Sequence, residues 1–491
     1  MSAPALQPRQ FLALMAGPAA FAMIGLIVVQ ELFGAATTWL VIRIARDITD
    51  GQMALGGFAA IVATQTLSYL AGAVSWIYAE RAGFAAYARY ILRFARSNRA
   101  RTALLTDVDA RERTEPFLTN ETFHICFSLV YDLQFHLRLL FNILFNAAVF
   151  GLEIDAGLPV AYVLALTVLV ALQWLLRKPL TSAYLRNQQM TNRMTARCYN
   201  LWDNVTTGNR YNLRLWLQDF RRRWDDALAA QIRAILMREG WSAASGLIAL
   251  LIVLAATALV ASRETGNLAL LVGLAATLPR QIEMTLDLHQ LTAGMTDLVA
   301  IWARIGGVCA HLRPAEDPGF AERIDFGRLR IERDGQVVDC AGLDALLREV
   351  LSRPAGRLRV RAGNGAGKST LLMALKAALP GQPYYLPPHD RLSFRFNQSS
   401  GTATAAPPSE ETLVEAEGLN AEETAAETAG YSSGERQLAV LREIVAHTDC
   451  PAYLLDEWDA NLDAANHARA EALVATLAHR AVVVEISHRA A

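Results

Sequence analysis

A chain of 491 residues is too long for one ordinary globular domain, and 53% hydrophobic against 19% charged residues is too apolar for a purely soluble protein. Lysine plus arginine (46) and aspartate plus glutamate (47) nearly cancel, to a net charge of −1, so bulk charge gives no reason to expect a nucleic-acid partner. Five scattered cysteines with no CxxC pair argue against a disulfide framework or a thiolate zinc site.

In chain order, five or six apolar stretches come first, at about 11–42, 54–78, 123–150, 158–176, 241–261 and 268–302. Each has the ~20 helical residues that a hydrocarbon core requires. The predicted first half is therefore a six-helix transmembrane domain, residues 1–312. Its connections alternate in charge. The second and fourth stretches are each followed by an arginine-rich segment, the latter containing Arg221-Arg222-Arg223, whereas 151–157 holds Glu153 and Asp155 with no base. The positive-inside rule puts the basic connections and both termini in the cytoplasm of a plasma (inner) membrane protein. Both connections are helix-compatible, and coupling segments toward a second domain are expected near 102–114 and 204–213.

Polar residues inside spans are costly and need a reason. The last stretch carries Arg280 and Glu283 on one face, with Asp287 a turn beyond. The third carries Asn142 and Asn146 on one face at mid-span. Glu31 interrupts the first. Two readings stand: a water-filled substrate pathway lined by Asn142, Asn146, Arg280 and Glu283, or interhelical pairing that only holds helices together.

A Pro/Gly-punctuated linker follows at 313–320, and the pattern then changes to short strands with apolar helices over 321–491. Leu358-Arg359-Val360-Arg361 reads as a strand. It runs into Ala362-Gly363-Asn364-Gly365-Ala366-Gly367-Lys368-Ser369-Thr370 and then an apolar helix. Strand, glycine-rich loop, helix is the setting of a phosphate-binding loop, in which backbone N–H groups and the helix N-terminus face the phosphates. Lys368 is expected at the β/γ-phosphates and Ser369 at Mg²⁺. Ala362 stands where the pattern has its first glycine. Further on, Tyr453-Leu454-Leu455-Asp456-Glu457 reads as a buried strand delivering a metal-holding carboxylate, Asp456, and a base, Glu457, to polarise the attacking water.

Tyr431-Ser432-Ser433-Gly434-Glu435-Arg436-Gln437, placed shortly before the acidic strand, resembles the signature of the ATP-binding-cassette (ABC) transporters. Ala460-Asn461-Leu462-Asp463 is similar to the family's D-loop, and Val482–Ser487 followed by His488 looks like its switch-histidine strand. The resemblance implies an α/β P-loop ATPase domain with a shortened helical subdomain, ATP and Mg²⁺ as cofactors, and catalytic roles for Glu457 and His488. It also implies that Ser432, Ser433, Gly434, Glu435 and Asp463 contact nucleotide across a dimer. The chain would be a half-size exporter working with a second copy or a related half-transporter, in a lipid bilayer, with no nucleic acid. Asp456-Glu457-Trp458 and Gly363-Asn364-Gly365 resemble the exporters of cyclic peptides and peptide siderophores, which implies a peptide-like cargo.

The sequence departs from the family pattern beyond Ala362. No aromatic lies between Phe326 and Lys368 to stack on adenine, and Tyr385-Leu386-Pro387-Pro388 offers no glutamine where the family has one, with Gln398 the only substitute nearby. Two alternatives stay open on that account: a degenerate ATP-binding partner in a heterodimer, and a non-transporting membrane protein regulated by ATP.

Overall fold

The structure, a computed structural model, describes residues 8–52, 55–105, 107–316, 319–363, 365–388, 392–394, 433–460 and 462–487. The apolar N-terminal sequence is almost continuously helical: α1 (Pro8–Met15), α2 (Pro18–Thr49), α3 (Leu55–Asn98), α4 (Val108–Pro116), α5 (Thr122–Glu153), α6 (Gly157–Thr195), α7 (Leu201–Thr206), α8 (Arg210–Arg263) and α9 (Leu268–His311). Backbone polar groups in hydrocarbon are satisfied only inside helices or closed barrels. Among the described residues, five segments are long and apolar enough to cross a membrane: Pro18–Thr49, Leu55–Asn98, Asp109–Glu153, Gly157–Leu175 and Arg210–Arg263. Six were expected. The sixth, α9, is one continuous helix, but Arg280, Gln281, Glu283 and Asp287 dilute its apolar run. Phe58, Val62, Leu164, Trp174, Leu247 and Leu251 are exposed, so the helices present the apolar exterior of a membrane protein.

Polar contacts fix these helices against one another. Glu153, near the end of α5, accepts from Arg46 Nη1 (2.6 Å) and Trp39 Nε1 (2.9 Å) of α2. Thr257 of α8 donates to Gln281 of α9 at 2.6 Å, with both side chains buried.

The C-terminal sequence forms β1 (Arg330–Arg333), β2 (Gln336–Val338), α10 (Leu343–Leu351), β3 (Gly356–Arg361), α11 (Lys368–Ala378) and β4 (Tyr384–Leu386). After the undescribed stretch come α12 (Ser433–His447), β5 (Ala452–Asp456), α13 (Ala464–Arg480) and β6 (Val482–Ile486). The strands make one mixed sheet in the order β2-β1-β3-β6-β5-β4. β1 is antiparallel to β2 and β3, while β3, β6, β5 and β4 run parallel. Every residue of β5 and β6 is buried, as expected for parallel strands covered on both faces. In register, Val360 lies beside Ile486 and Ile486 beside Asp456, with Leu386 beside Leu455. The carboxyl ends of the four parallel strands therefore line up along one edge.

One buried charge organises this sheet. Glu485, in the middle of an otherwise aliphatic β6, is 0% exposed on its side chain. It accepts from Arg357 (Nε and Nη2, both 2.7 Å) and from Arg359 Nε (2.6 Å), two residues apart and so on the same face of β3. Arg357 also pairs with Glu471 of α13, and its guanidinium holds that carboxyl below the usual range.

The chain divides into two compact units, Leu6–Tyr87 with Glu121–Cys309, and Ala88–Asn120 with Ala310–Ala491. The expected domain boundary at 312/313 thus sits beside a grouping in which 88–120 goes with the sheet. Within that unit, Asn98 Nδ2 donates to Leu312 O (2.8 Å), Arg101 Nη1 donates to Pro314 O (2.9 Å) and Arg101 pairs with Glu316 (3.1 Å). Phe117 stacks on His311 at 4.1 Å. The 3₁₀ turn Thr102–Leu105, with Thr102 and Ala103 buried, packs on α11.

Removing Arg357 strips the buried Glu485 of its two-bond partner and leaves Glu471 with only the longer contact to Arg359 (3.3 Å). Arg357→Ala is expected to destabilise the sheet unit by about 3 kcal/mol, read as a lowered melting temperature of the purified chain.

Candidate functional site

At the carboxyl edge, β3 passes into the loop 362–367 and α11 begins at Lys368. Gly365 (φ +78°) and Gly367 (φ +84°) adopt left-handed backbone that side chains disfavour. A Cβ at Gly367 would lie 2.6 Å from the Arg323 carbonyl oxygen, so glycine is required there by close approach as well. That neighbouring segment is tied to the loop by Asp325 N donating to Ala366 O at 3.2 Å. Ala362 is not among the residues with positive φ, so the position needs no glycine freedom and its methyl does not strain the turn. Lys368 Nζ folds back onto the loop, donating to Ala362 O (2.9 Å) and Gly363 O (3.4 Å). Ser369 and Thr370 follow in the first turn of α11.

Two strands away, β5 brings Asp456 to the same edge, 1% exposed. Its Oδ2 accepts from the Tyr385 hydroxyl at 3.1 Å, while Oδ1 is buried with no hydrogen-bond partner at normal geometry. Burial pushes the Asp456 carboxyl up, against the hydroxyls of Ser369 and Tyr385, which draw it down. Burial and the neighbouring carboxylate likewise push the Tyr385 phenol up. An orphaned carboxylate oxygen with a serine hydroxyl acting on it is a donor set suited to a hard divalent cation that completes its shell with ligand oxygens and water.

Glu457 follows in a left-handed conformation, φ +49°, uncommon for a side-chain-bearing residue and a form of strain that persists only when its surroundings enforce it. Three bonds between the ends of β5 and β6 do so: Glu457 N to Ile486 O (3.0 Å), Trp458 Nε1 to Glu485 Oε2 (3.0 Å) and Ser487 Oγ to Asp459 Oδ2 (2.7 Å). Trp458 is 1% exposed and stacks on His467. It is a packing residue that anchors the turn holding Glu457.

The other expected positions divide. Ser433 opens α12, with Gly434 buried and Glu435 in the first turn. Asp463 caps α13, accepting from Asn466 N at 2.7 Å. Asn364, Ser432 and His488, together with Asn461, His389 and Gln398, lie outside the described residues. Pro388 is described, and no glutamine side chain follows β4 there. The sequence reading missed Tyr385, Arg357, Arg359 and Glu485. A lone acid inside the strand Val-Val-Val-Glu-Ile, facing two arginines at i and i+2 of β3, was the signal available for the last three.

The helical unit carries a second site, a cavity of about 480 Å³ lined by Asn142, Arg280 and Glu283 of the expected set, along with Glu31, Arg138 and Asp287. Asn146 does not line it. Fully buried, it donates to Asn142 O (2.8 Å) and accepts from Thr38 Oγ1 (2.5 Å). Arg280 pairs with Glu283 within α9 (2.6 Å) and donates across to Asn142 of α5, which donates to Asp287. The interhelical links therefore run through asparagine, and the ion pair is local to α9. Pairing and cavity lining, posed as alternatives by the sequence, coexist.

No protein-family model matches the chain, and no curated protein matches it.

Replacing the Trp458 indole by a benzyl ring leaves a buried Glu485 oxygen short of one donor. Trp458→Phe is expected to cost about 1–3 kcal/mol, and a melting temperature equal to the wild type's would contradict the anchoring role.

Proposed function

We propose that the chain is a half-size ABC-type exporter that couples ATP hydrolysis at the sheet edge to movement of a peptide-like cargo through the helical unit. The observation that carries this reading is the alignment of the glycine loop and Lys368 with Asp456 and Glu457 on one edge of a parallel sheet, where open α/β sheets bind ligands. The N–H groups at the start of α11 face an incoming phosphate, and Lys368 exchanges its loop carbonyls for phosphate oxygens. Asp456 and Ser369 would hold Mg²⁺, which when bound offsets charge on the β- and γ-phosphates. Glu457, fixed by its strained turn, orients and deprotonates the attacking water. His488 and the signature residues Ser432–Glu435 keep the roles implied by the resemblance.

The packing of Thr102–Leu105 on α11 supports coupling, because a shift of α11 reaches the end of α3 directly. The second expected coupling segment carries exposed Trp202, Val205 and Tyr211 in and around α7, apolar surface that supports a partner half-transporter. The sequence after β4, Pro387-Pro388 with no glutamine, supports one competing reading, a degenerate subunit that binds nucleotide and leaves hydrolysis to a different partner.

ATP turnover by the chain alone in lipid nanodiscs separates the two. Glu457→Gln is expected to lower it by about a hundredfold or more, while Lys368→Ala abolishes nucleotide binding. Nucleotide binding by the wild type with turnover no higher than that of Glu457→Gln would overturn the self-sufficient exporter in favour of the degenerate subunit.

The raised pKa of Asp456 gives the site a pH signature. The fold favours the acid form, so stability of the ligand-free chain falls as pH rises through that pKa. Cation binding requires the carboxylate, so Mg²⁺-dependent ADP affinity falls as pH drops through it. Tyr385→Phe removes a hydroxyl that stabilises the carboxylate. The pH midpoint for Mg²⁺-ADP binding should therefore move upward, and a midpoint unchanged or lowered would contradict the assignment of Asp456.

A further inference from the structure

The charges around the cavity of the helical unit are unevenly satisfied. Arg280, Glu283 and Asp287 are tied to one another or to Asn142. Glu31 and Arg138 line the same space and make no hydrogen bond or ion pair among the described residues; they act on each other only through the longer-range field. Glu31 is only 7% exposed. A carboxylate withdrawn from water inside a membrane-spanning helix, with no donor on it, costs several kcal/mol unless a counter-charge arrives. Arg138, the largest positive influence on it, is exposed and makes no ion pair with it among the described residues. Three carboxylates face two guanidiniums in this wall, so with all of them ionised an excess negative charge is left, and what balances it is a cation.

Beside the cavity lies a smaller pocket of about 230 Å³ that shares Gln30, Ser68, Tyr69 and Arg138 with it and is also lined by Trp76 and Phe135. The pair of spaces thus offers an unpaired buried carboxylate next to an aromatic recess.

We propose that the two spaces form a receptor for an amphipathic ammonium: a small peptide-like cargo whose –NH₃⁺ pairs with Glu31 and whose apolar side chain fills the recess walled by Trp76 and Phe135. The ammonium donates three hydrogen bonds into a site that has acceptors and no competing donor on Glu31. Arg138 and Arg280, by repulsion, disfavour a cation placed beside either of them, and Glu283 and Asp287 are already engaged by Arg280 and Asn142, which leaves Glu31 for the amine. The assignment rests on the transport reading for calling this ligand a cargo; binding itself does not depend on it.

The test uses the full chain in phosphatidylcholine nanodiscs, so that no primary amine comes from lipid, and two probes, Phe-Phe-amide with a free N-terminus and the same dipeptide amide N-acetylated. Calorimetry should give at least about tenfold tighter binding of the free amine, the factor expected of one charge-assisted pair. Glu31→Gln should abolish that preference, and Trp76→Ala should weaken both probes alike. Equal binding of the two probes to the wild type, as a Glu31 that merely carries a proton would produce, overturns the proposal. So does binding of neither probe, or a preference that survives Glu31→Gln. Should Glu31→Gln fail to fold, the wild-type pair and Trp76→Ala still decide. Nucleotide binding and ATP turnover, measured on the same wild-type discs, fail or succeed independently: an intact amine preference with neither removes the exporter reading and leaves the receptor.

Discussion

A carboxylate sealed away from solvent has to be neutralised where it stands, and at Glu485 that requirement dictates much of the sheet around it. Two guanidiniums from β3 reach it across the pairing of β3 with β6, which fixes the register of those strands. Its remaining acceptor capacity takes the Trp458 indole, which pins the turn after β5. Glu471 closes the network from α13 on the other side of Arg357. A buried ion cluster is weak evidence for stability, since an apolar replacement of equal volume is often no worse. Its use here is specificity. Slipping either strand by one residue would turn Glu485 away from both arginines and leave an unpaired charge in the core.

Specific register is what gives the carboxyl edge its chemistry. The glycine loop, the end of β6 and the Asp456-Glu457 pair come from segments well separated in sequence, and only the pairing of Val360, Ile486 and Asp456 along one line makes them neighbours. The left-handed Glu457 is the strained point of that edge. Its strain is offset by three cross-strand bonds and the burial of Trp458, so the network centred on Glu485 and the position of the proposed base are one mechanical object. Tyr385 extends it to β4 by holding one oxygen of Asp456 and leaving the other open.

The glycine loop, the helix after it and the acidic strand were legible in the sequence because each is local: a run of residue types with a fixed conformational meaning. The long apolar helices were legible for the same reason, α9 included, although its polar middle keeps it below the apolarity of the five candidate spans. Tyr385 and Glu485 were not legible. Their partners lie on other strands, and nothing in Tyr-Tyr-Leu or Val-Val-Val-Glu-Ile states which strand will be adjacent. At Ala362 the pattern is written in residue types, whereas the backbone there is not among the positive-φ positions and so does not call for glycine. The grouping of 88–120 with the sheet unit likewise depends on Asn98 and Arg101 meeting the carbonyls of Leu312 and Pro314, contacts more than two hundred residues apart.

The polar middle of α9 that keeps it out of the five candidate spans is the same feature that lines the cavity of the helical unit. Lipid-facing positions carry leucine, valine, tryptophan and phenylalanine, while Arg280, Glu283 and Asp287 gather around a cavity with Glu31, Arg138 and Asn142. Polar groups at that depth persist in proteins where they line water or ligand. α3 contributes Gln65, Ser68 and Tyr69 to the cavity wall and, without a break in the helix, ends at Asn98, just before the turn that packs on α11. α9 likewise runs unbroken across the division between the two compact units, so each unit is built partly from helices it shares with the other.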